Sequence, residues 1–158
     1  MPFDGQIDYD YIMWIDSDMV FEVNDFIKLL NMNKDIASGI YKTQNNTNYA
    51  TVEKWDKEHY AKNGSFEFLD DKLINKRTKP FKVEYTGFGW VLIKKGVFES
   101  LEYPWFQPLW EEFKVGDTSF KEFTMEDVAF CRMITKKGYD IYVDPTLIIG
   151  HEKMLVLK

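Results

Sequence analysis

Apolar positions first gather in an unbroken run, Ile12-Met13-Trp14-Ile15, entered through Tyr11 and closed by Asp16-Ser17-Asp18. No polar residue alternates within the run, so it predicts a strand covered on both faces in the middle of a parallel α/β sheet. Residues 1–8 ahead of it are short and polar. Behind Asn24, a candidate N-cap, Phe26, Ile27 and Leu30 share one face at helical spacing and predict an amphipathic helix. Residues 35–41 read as a short strand and 42–48 as a polar loop without periodicity. From 49 to 82 the apolar positions fall into short pieces among many charges, which predicts a meander or mobile insert.

Regular structure is expected again over residues 81–93, interrupted by Gly87 and Gly89, which flank Phe88 and precede Trp90. Glycine inside a strand pattern marks a bulge or a close approach of ligand or backbone. Both readings fit: open backbone beside two large rings, or a bulged edge plugged by them. Residues 96–101 predict a short helix. The following Tyr103-Pro104-Trp105-Phe106-Gln107-Pro108 is a loop stiffened by two prolines, whose aromatics either stack on a sugar face or pack on the sheet.

The clearest helix starts behind Thr124, with Asp127 at the third helical position in a capping-box-like arrangement, and stops at Lys136-Lys137-Gly138. Asp127 heads a stripe that continues through Phe130, Cys131 and Ile134, and Glu126 one through Ala129, Phe130 and Met133, while Arg132 and Lys136 take the solvent side. A carboxylate on the covered side is costly unless satisfied, so Asp127 is capped, paired or catalytic. Residues 139–143 then predict a strand, Asp144-Pro145 a turn, and 146–149 a second short strand running into Gly150-His151-Glu152.

The length of 158 residues allows one domain with a real core. Five Trp, nine Tyr and thirteen Phe make it rich in rings, most of them expected in the core and some available for stacking on sugars or bases. A net charge of -6 without a basic stripe argues against nucleic acid or an anionic membrane as partner. The lone Cys131 excludes an internal disulfide and fits a reducing compartment. No run approaches the roughly 20 apolar residues of a membrane span and no secretory leader pattern opens the chain, so a cytoplasmic location is expected.

In open α/β sheets ligands sit just beyond the carboxyl ends of the strands, where Asp16 and Asp18 fall. Two acids one residue apart repel each other and any phosphorylated ligand unless a divalent cation lies between, which suggests a site for a metal and a diphosphate. Asp8-Tyr9-Asp10 matches the same spacing but precedes the strand, and the plain alternative for Asp16 and Asp18 is a solvated acidic turn. His151 also lies at the carboxyl end of an apolar strand.

Taken in order, YIMWIDSDMVF, YTGFGWVLIKKGVFESLEYPWF, EDVAFCRMITKKGYDIYVDP and IIGHEK resemble the nucleotide-sugar glycosyltransferases of the GT-A fold, in particular bacterial and viral members similar to family 2, over residues 9–153. The resemblance implies a partial GT-A fold, a mixed central sheet flanked by helices, in a single domain. It implies that Asp18 and His151 hold Mn²⁺ or Mg²⁺, with Asp16 nearer the ribose or the metal's water. Gly87, Gly89 and Trp90 would line the donor-sugar and acceptor pocket, with Trp105 as a further sugar contact. Asp127 would be the general base and Glu126 would hold an acceptor hydroxyl. The implied partners are a nucleoside-diphosphate sugar and a glycan, lipid-linked or protein acceptor. The family places a nucleotide-binding βαβ half before the Asp-x-Asp strand; here about ten residues precede it, so that half is expected from a longer parent protein or a second chain, unless the protein is a reduced form.

The chemistry is consistent with that set. A cation bridging the phosphates neutralises the leaving group, an imidazole ligand tilts the choice towards manganese, and a positioned carboxylate takes the acceptor's proton. A second family also resembles the first motif. In haloacid-dehalogenase-like phosphatases Asp16 would be the nucleophile and Asp18 the acid/base, with Gly116-Asp117 as later metal ligands. That resemblance leaves residues 87–106 and 126–151 unexplained. A third reading is a non-catalytic truncated binding module.

Overall fold

A computed structural model describes residues 7–153, so most of the polar approach to the first strand lies outside the described residues. The elements in order are β1 (Tyr11–Ile15), β2 (Met19–Val20), α1 (Val23–Asn31), β3 (Ile36–Ile40), β4 (Asn48–Val52), α2 (Lys57–Asn63), β5 (Phe68–Asp70) and α3 (Asp71–Ile74). There follow β6 (Phe81–Val83), β7 (Tyr85–Thr86), β8 (Trp90–Lys94), a 3₁₀ turn (Phe98–Ser100), β9 (Trp110–Val115), β10 (Thr118–Phe123), α4 (Glu126–Lys137), β11 (Ile141–Ile148) and β12 (Gly150–His151). The chain is of mixed α/β class. No described helix is long and apolar enough to cross a membrane.

The main sheet has five strands in the order β1-β8-β3-β11-β6. Among the described residues its one parallel pairing is β3 with β11, while β1 runs antiparallel to β8, Tyr11 opposite Lys94 and Ile15 opposite Trp90. The first strand is therefore an edge, not the centre of a parallel sheet, and Trp14 and Ile15 remain 37% and 45% exposed. Periodicity reports which residues are apolar; it does not report whether a neighbour arrives on both sides. The Asp10 carbonyl accepts from Lys95 N–H and Asp16 N–H donates to the Gly89 carbonyl. Alternation of an antiparallel ladder then turns the backbone groups of Tyr11, Met13 and Ile15 to the open edge.

The strands β8 and β3 carry the core on both faces, because successive side chains point to opposite sides. Val91, Ile93, Ile36 and Ile40 join the cluster that contains Phe130, Cys131 and Ile134 of α4. Trp90, Leu92 and Ala37 face Leu29 of α1. Phe106 stacks on Phe130 at 4.6 Å and 15°, and Phe88 and Phe98 lie edge-on or tilted about the same ring at 5.0 and 5.3 Å. The proline-stiffened loop thus packs on the core.

Several local expectations are corrected. Helix α1 is capped at Glu22, whose N–H donates to Asp25 Oδ2 at 2.9 Å, and Asn24 lies inside it. Ile27 and Leu30 stay exposed while Leu29 is the residue it buries. Residues 49–82 are not a loose insert: Tyr49, Val52, Phe66, Leu69 and Ile74 are all core. Met125, not Thr124, precedes α4 as its cap, since the Thr124 hydroxyl is engaged with Leu109, accepting from its N–H at 2.9 Å. Gly138 closes α4 in the left-handed conformation expected of it (φ 100°). Asp144-Pro145 does not turn the chain; β11 continues through it with a register shift. Gly116-Asp117 is the tip of the β9–β10 hairpin.

Candidate functional site

The end of β1 passes Asp16 and Asp18 into β2, which pairs antiparallel with β12 so that Met19 faces His151. Glu152 N–H donates to the Asp18 carbonyl at 2.8 Å and extends that pairing. The short ladder brings two residues 133 positions apart in sequence into contact: His151 Nε2 lies 3.2 Å from Asp18 Oδ2. On its other side the ring bonds the Lys42 carbonyl oxygen through Nδ1 at 2.6 Å. A carbonyl only accepts, so Nδ1 donates and fixes the tautomer, leaving Nε2 to face the carboxylate. Lys153 Nζ donates to the same Oδ2 at 2.6 Å, so this oxygen is flanked by the imidazole and an ammonium. That hydrogen bond, together with the charges of His151 and Lys153, holds the Asp18 carboxyl below its ordinary pKa.

Tyr41 joins His151 to the glycine segment before β8, and sequence reading did not single it out. Its buried hydroxyl accepts from Gly89 N–H at 3.0 Å, and its ring stands edge-on to His151 at 5.2 Å. Burial raises the pKa of this hydroxyl, the Gly89 N–H opposes the rise, and the charges of Asp16, Asp127 and Asp18 add to it. The glycines owe their place to the same ring. A Cβ at Gly87 would strike the Tyr41 hydroxyl and one at Gly89 would strike Met19 Cε, so the expected close approach is made by a side chain of the chain itself.

Asp127 enters from the first turn of α4. Its Oδ2 accepts from the Tyr85 hydroxyl and its Oδ1 from Val128 N–H, both at 2.7 Å. Burial raises its pKa; the Tyr85 and Val128 hydrogen bonds work against that and the Glu126 charge adds to it. Glu126 beside it is exposed. The carboxylate faces a cleft of about 370 Å³ whose wall includes Trp55, Phe68 and Tyr85.

Three anticipated residues sit apart from this grouping. Trp90 is fully buried on the α1 side, where Phe21 lies 5.9 Å from its ring, and its indole Nε1 has no hydrogen-bond partner among the described residues. Trp105 packs on Phe98 at 5.1 Å and Tyr103 at 5.5 Å. Arg132, expected in solvent, lies over the Trp55 ring at 4.2 Å and pairs with Glu111 at 3.1 Å. Among the described residues no three His, Cys, Asp or Glu side chains converge as a ready-made metal cage.

No family model and no curated protein matches this chain. A solved structure described as the crystal structure of A197 from STIV is similar over 95% of this chain and 70% of its own, with 17% sequence identity and a TM-score of 0.49.

Proposed function

We propose that this chain carries the metal and acceptor side of a metal-dependent glycosyltransferase of GT-A type, which moves a sugar from a nucleoside-diphosphate donor to an acceptor hydroxyl. The observation that supports it best is the contact of His151 with Asp18, Nε2 to Oδ2 at 3.2 Å, made across the β2–β12 pairing at the tip of β1. Asp18 Oδ2 and His151 Nε2 would hold the cation, which would take the place of the Lys153 ammonium now donating to that oxygen at 2.6 Å; an imidazole ligand would favour Mn²⁺. When bound, the cation neutralises the diphosphate leaving group.

The chain's own residues do the rest. Asp127 takes the proton of the attacking hydroxyl, Tyr85 orients it through Oδ2, and exposed Glu126 accepts from a neighbouring hydroxyl of the acceptor. Asp16 faces the donor side.

Two outcomes follow. In Asp18→Asn, Mn²⁺-dependent binding of a nucleoside diphosphate weakens more than roughly tenfold, since even an outer-shell change at a metal ligand costs ~10–100-fold; calorimetric titration that finds unchanged affinity rejects the site. A base must be ionised to act, so the acid limb of kcat/KM lies above the ordinary carboxylate range, as burial of Asp127 dictates. Tyr85→Phe removes a hydrogen bond that favours the ionised form and shifts that limb to still higher pH. A limb that stays in place or moves down contradicts the assignment.

A further inference from the structure

Resting on that reading of Asp127, we infer that the aromatic cleft beside it is the acceptor subsite and takes a neutral hexopyranose, the terminal ring of a glycan or simple glycoside. The reasoning starts from the walls. Trp55, Phe66 and Tyr60 form a continuous aromatic lining, Trp55 to Phe66 at 4.3 Å and Tyr60 to Phe66 at 4.8 Å. Phe123 from β10 and Met125 from the turn into α4 close the rim, each 64% exposed. A large ring and a thioether left in water at the mouth of an aromatic pocket are available to cover an apolar face.

The charged side is acidic: Asp127, Glu126 and Glu122 line the cleft, and among the described residues no lysine or arginine does. Arg132 lies over the Trp55 ring at 4.2 Å and is paired with Glu111 at 3.1 Å. A phosphorylated or uronic acceptor would bring negative charge against three carboxylates and is disfavoured. A long lipid chain would set methylenes against those same acids. A neutral pyranose meets both requirements: its C–H faces cover aromatic rings and its rim of hydroxyls donates to carboxylate oxygens. Two buried polar atoms of the lining, Trp55 Nε1 and Glu122 Oε2, lack a hydrogen-bond partner among the described residues. At about 370 Å³ the cleft lies near the small end of the ~300–1,000 Å³ of ligand pockets, space for one or two rings and not for an extended chain.

The test is a titration of the full chain by tryptophan fluorescence, without metal or nucleotide, using the methyl glycosides of glucose, galactose, mannose and N-acetylglucosamine, with methyl glucuronide as the charged control. At least one neutral glycoside binds saturably, and the glucuronide binds at least about tenfold more weakly. Phe123→Ala, a change at an exposed position that spares the core, weakens the neutral glycoside by about three- to tenfold, the ~0.5–1.5 kcal/mol of an aromatic contact. No saturable binding by any neutral glycoside, glucuronide binding as tight as the best of them, or affinity indifferent to Phe123→Ala overturns the inference. If Mn²⁺ and a nucleoside diphosphate bind through Asp18 while no glycoside does, the transferase reading stands and this one falls. If glycosides bind as described but Mn²⁺-dependent binding of a nucleoside diphosphate is absent or unchanged in Asp18→Asn, the cleft stands and the transferase reading falls.

Discussion

Asp127→Asn lowers sugar transfer by about 10²–10⁴-fold, the range of a positioned general base, while leaving Mn²⁺-dependent nucleoside-diphosphate binding intact. The amide is close in shape and its one oxygen can keep the Tyr85 hydroxyl, which reaches Oδ2 at 2.7 Å, at the cost of the Val128 N–H that Oδ1 accepts. It cannot take up a proton at neutral pH. The fold is expected to tolerate the change, because burial already disfavours the ionised form of this carboxyl. A group whose folded pKa is raised adds stability that is fullest below the ordinary carboxylate value and is lost as pH rises through the raised one. The asparagine variant therefore shows a flatter dependence of melting temperature on pH across that window. Transfer at the parental rate, with melting unchanged, would remove Asp127 from the chemistry.

Phe130→Ala is the largest expected loss of stability, about 3–5 kcal/mol for a fully buried ring. Phe106, Phe88 and Phe98 all lie against Phe130, the first stacked on it at 4.6 Å, so truncation opens a cavity between layers that cannot easily collapse. At ~2–4 °C per kcal/mol for a domain of this size, the melting temperature falls by roughly 6–20 °C. Phe130→Leu keeps most of the volume and costs less. The ring sits one helical turn beyond Asp127, so the alanine variant also loosens the head of α4. A drop under 2 °C by calorimetry would show that the aromatic cluster is not the keystone of the core.

Much of the site could be read from the residues, and the failures have definite causes. The β1 run, the acids at its tip, the limits of α4 and the stripe beneath Asp127 follow from local pattern, and pattern is local. That β1 lies at an edge depends on which strand arrives beside it. Tyr41 and Tyr85 carry no local mark, because a buried tyrosine looks like any core ring until the partner of its hydroxyl is known, Gly89 N–H for the one and Asp127 for the other. Trp90 was placed in the pocket, but β8 alternation turns it to the α1 face. The β9–β10 hairpin has a weak local signal: its polar and apolar positions do not alternate strictly, and only Gly116-Asp117 marks a tight turn between two strands. No periodic pattern marks residues 49–82 as core, since their apolar positions are scattered and several of their ring contacts, Trp55 and Phe68 with Tyr85 and Tyr60 with Phe113, reach outside the segment.

The unpaired flank of β1 bears on how the protein behaves in bulk. Three residues point N–H and C=O groups outward beside the half-bare Trp14 and Ile15, and neither lysine nor proline interrupts the strand to discourage a newcomer. Self-association should therefore rise with concentration, by sheet extension and not by helix docking. A lysine at position 13 or 15 is the economical cure for cloudy preparations, and because Asp16 follows directly, whatever settles along that flank also settles beside the acids.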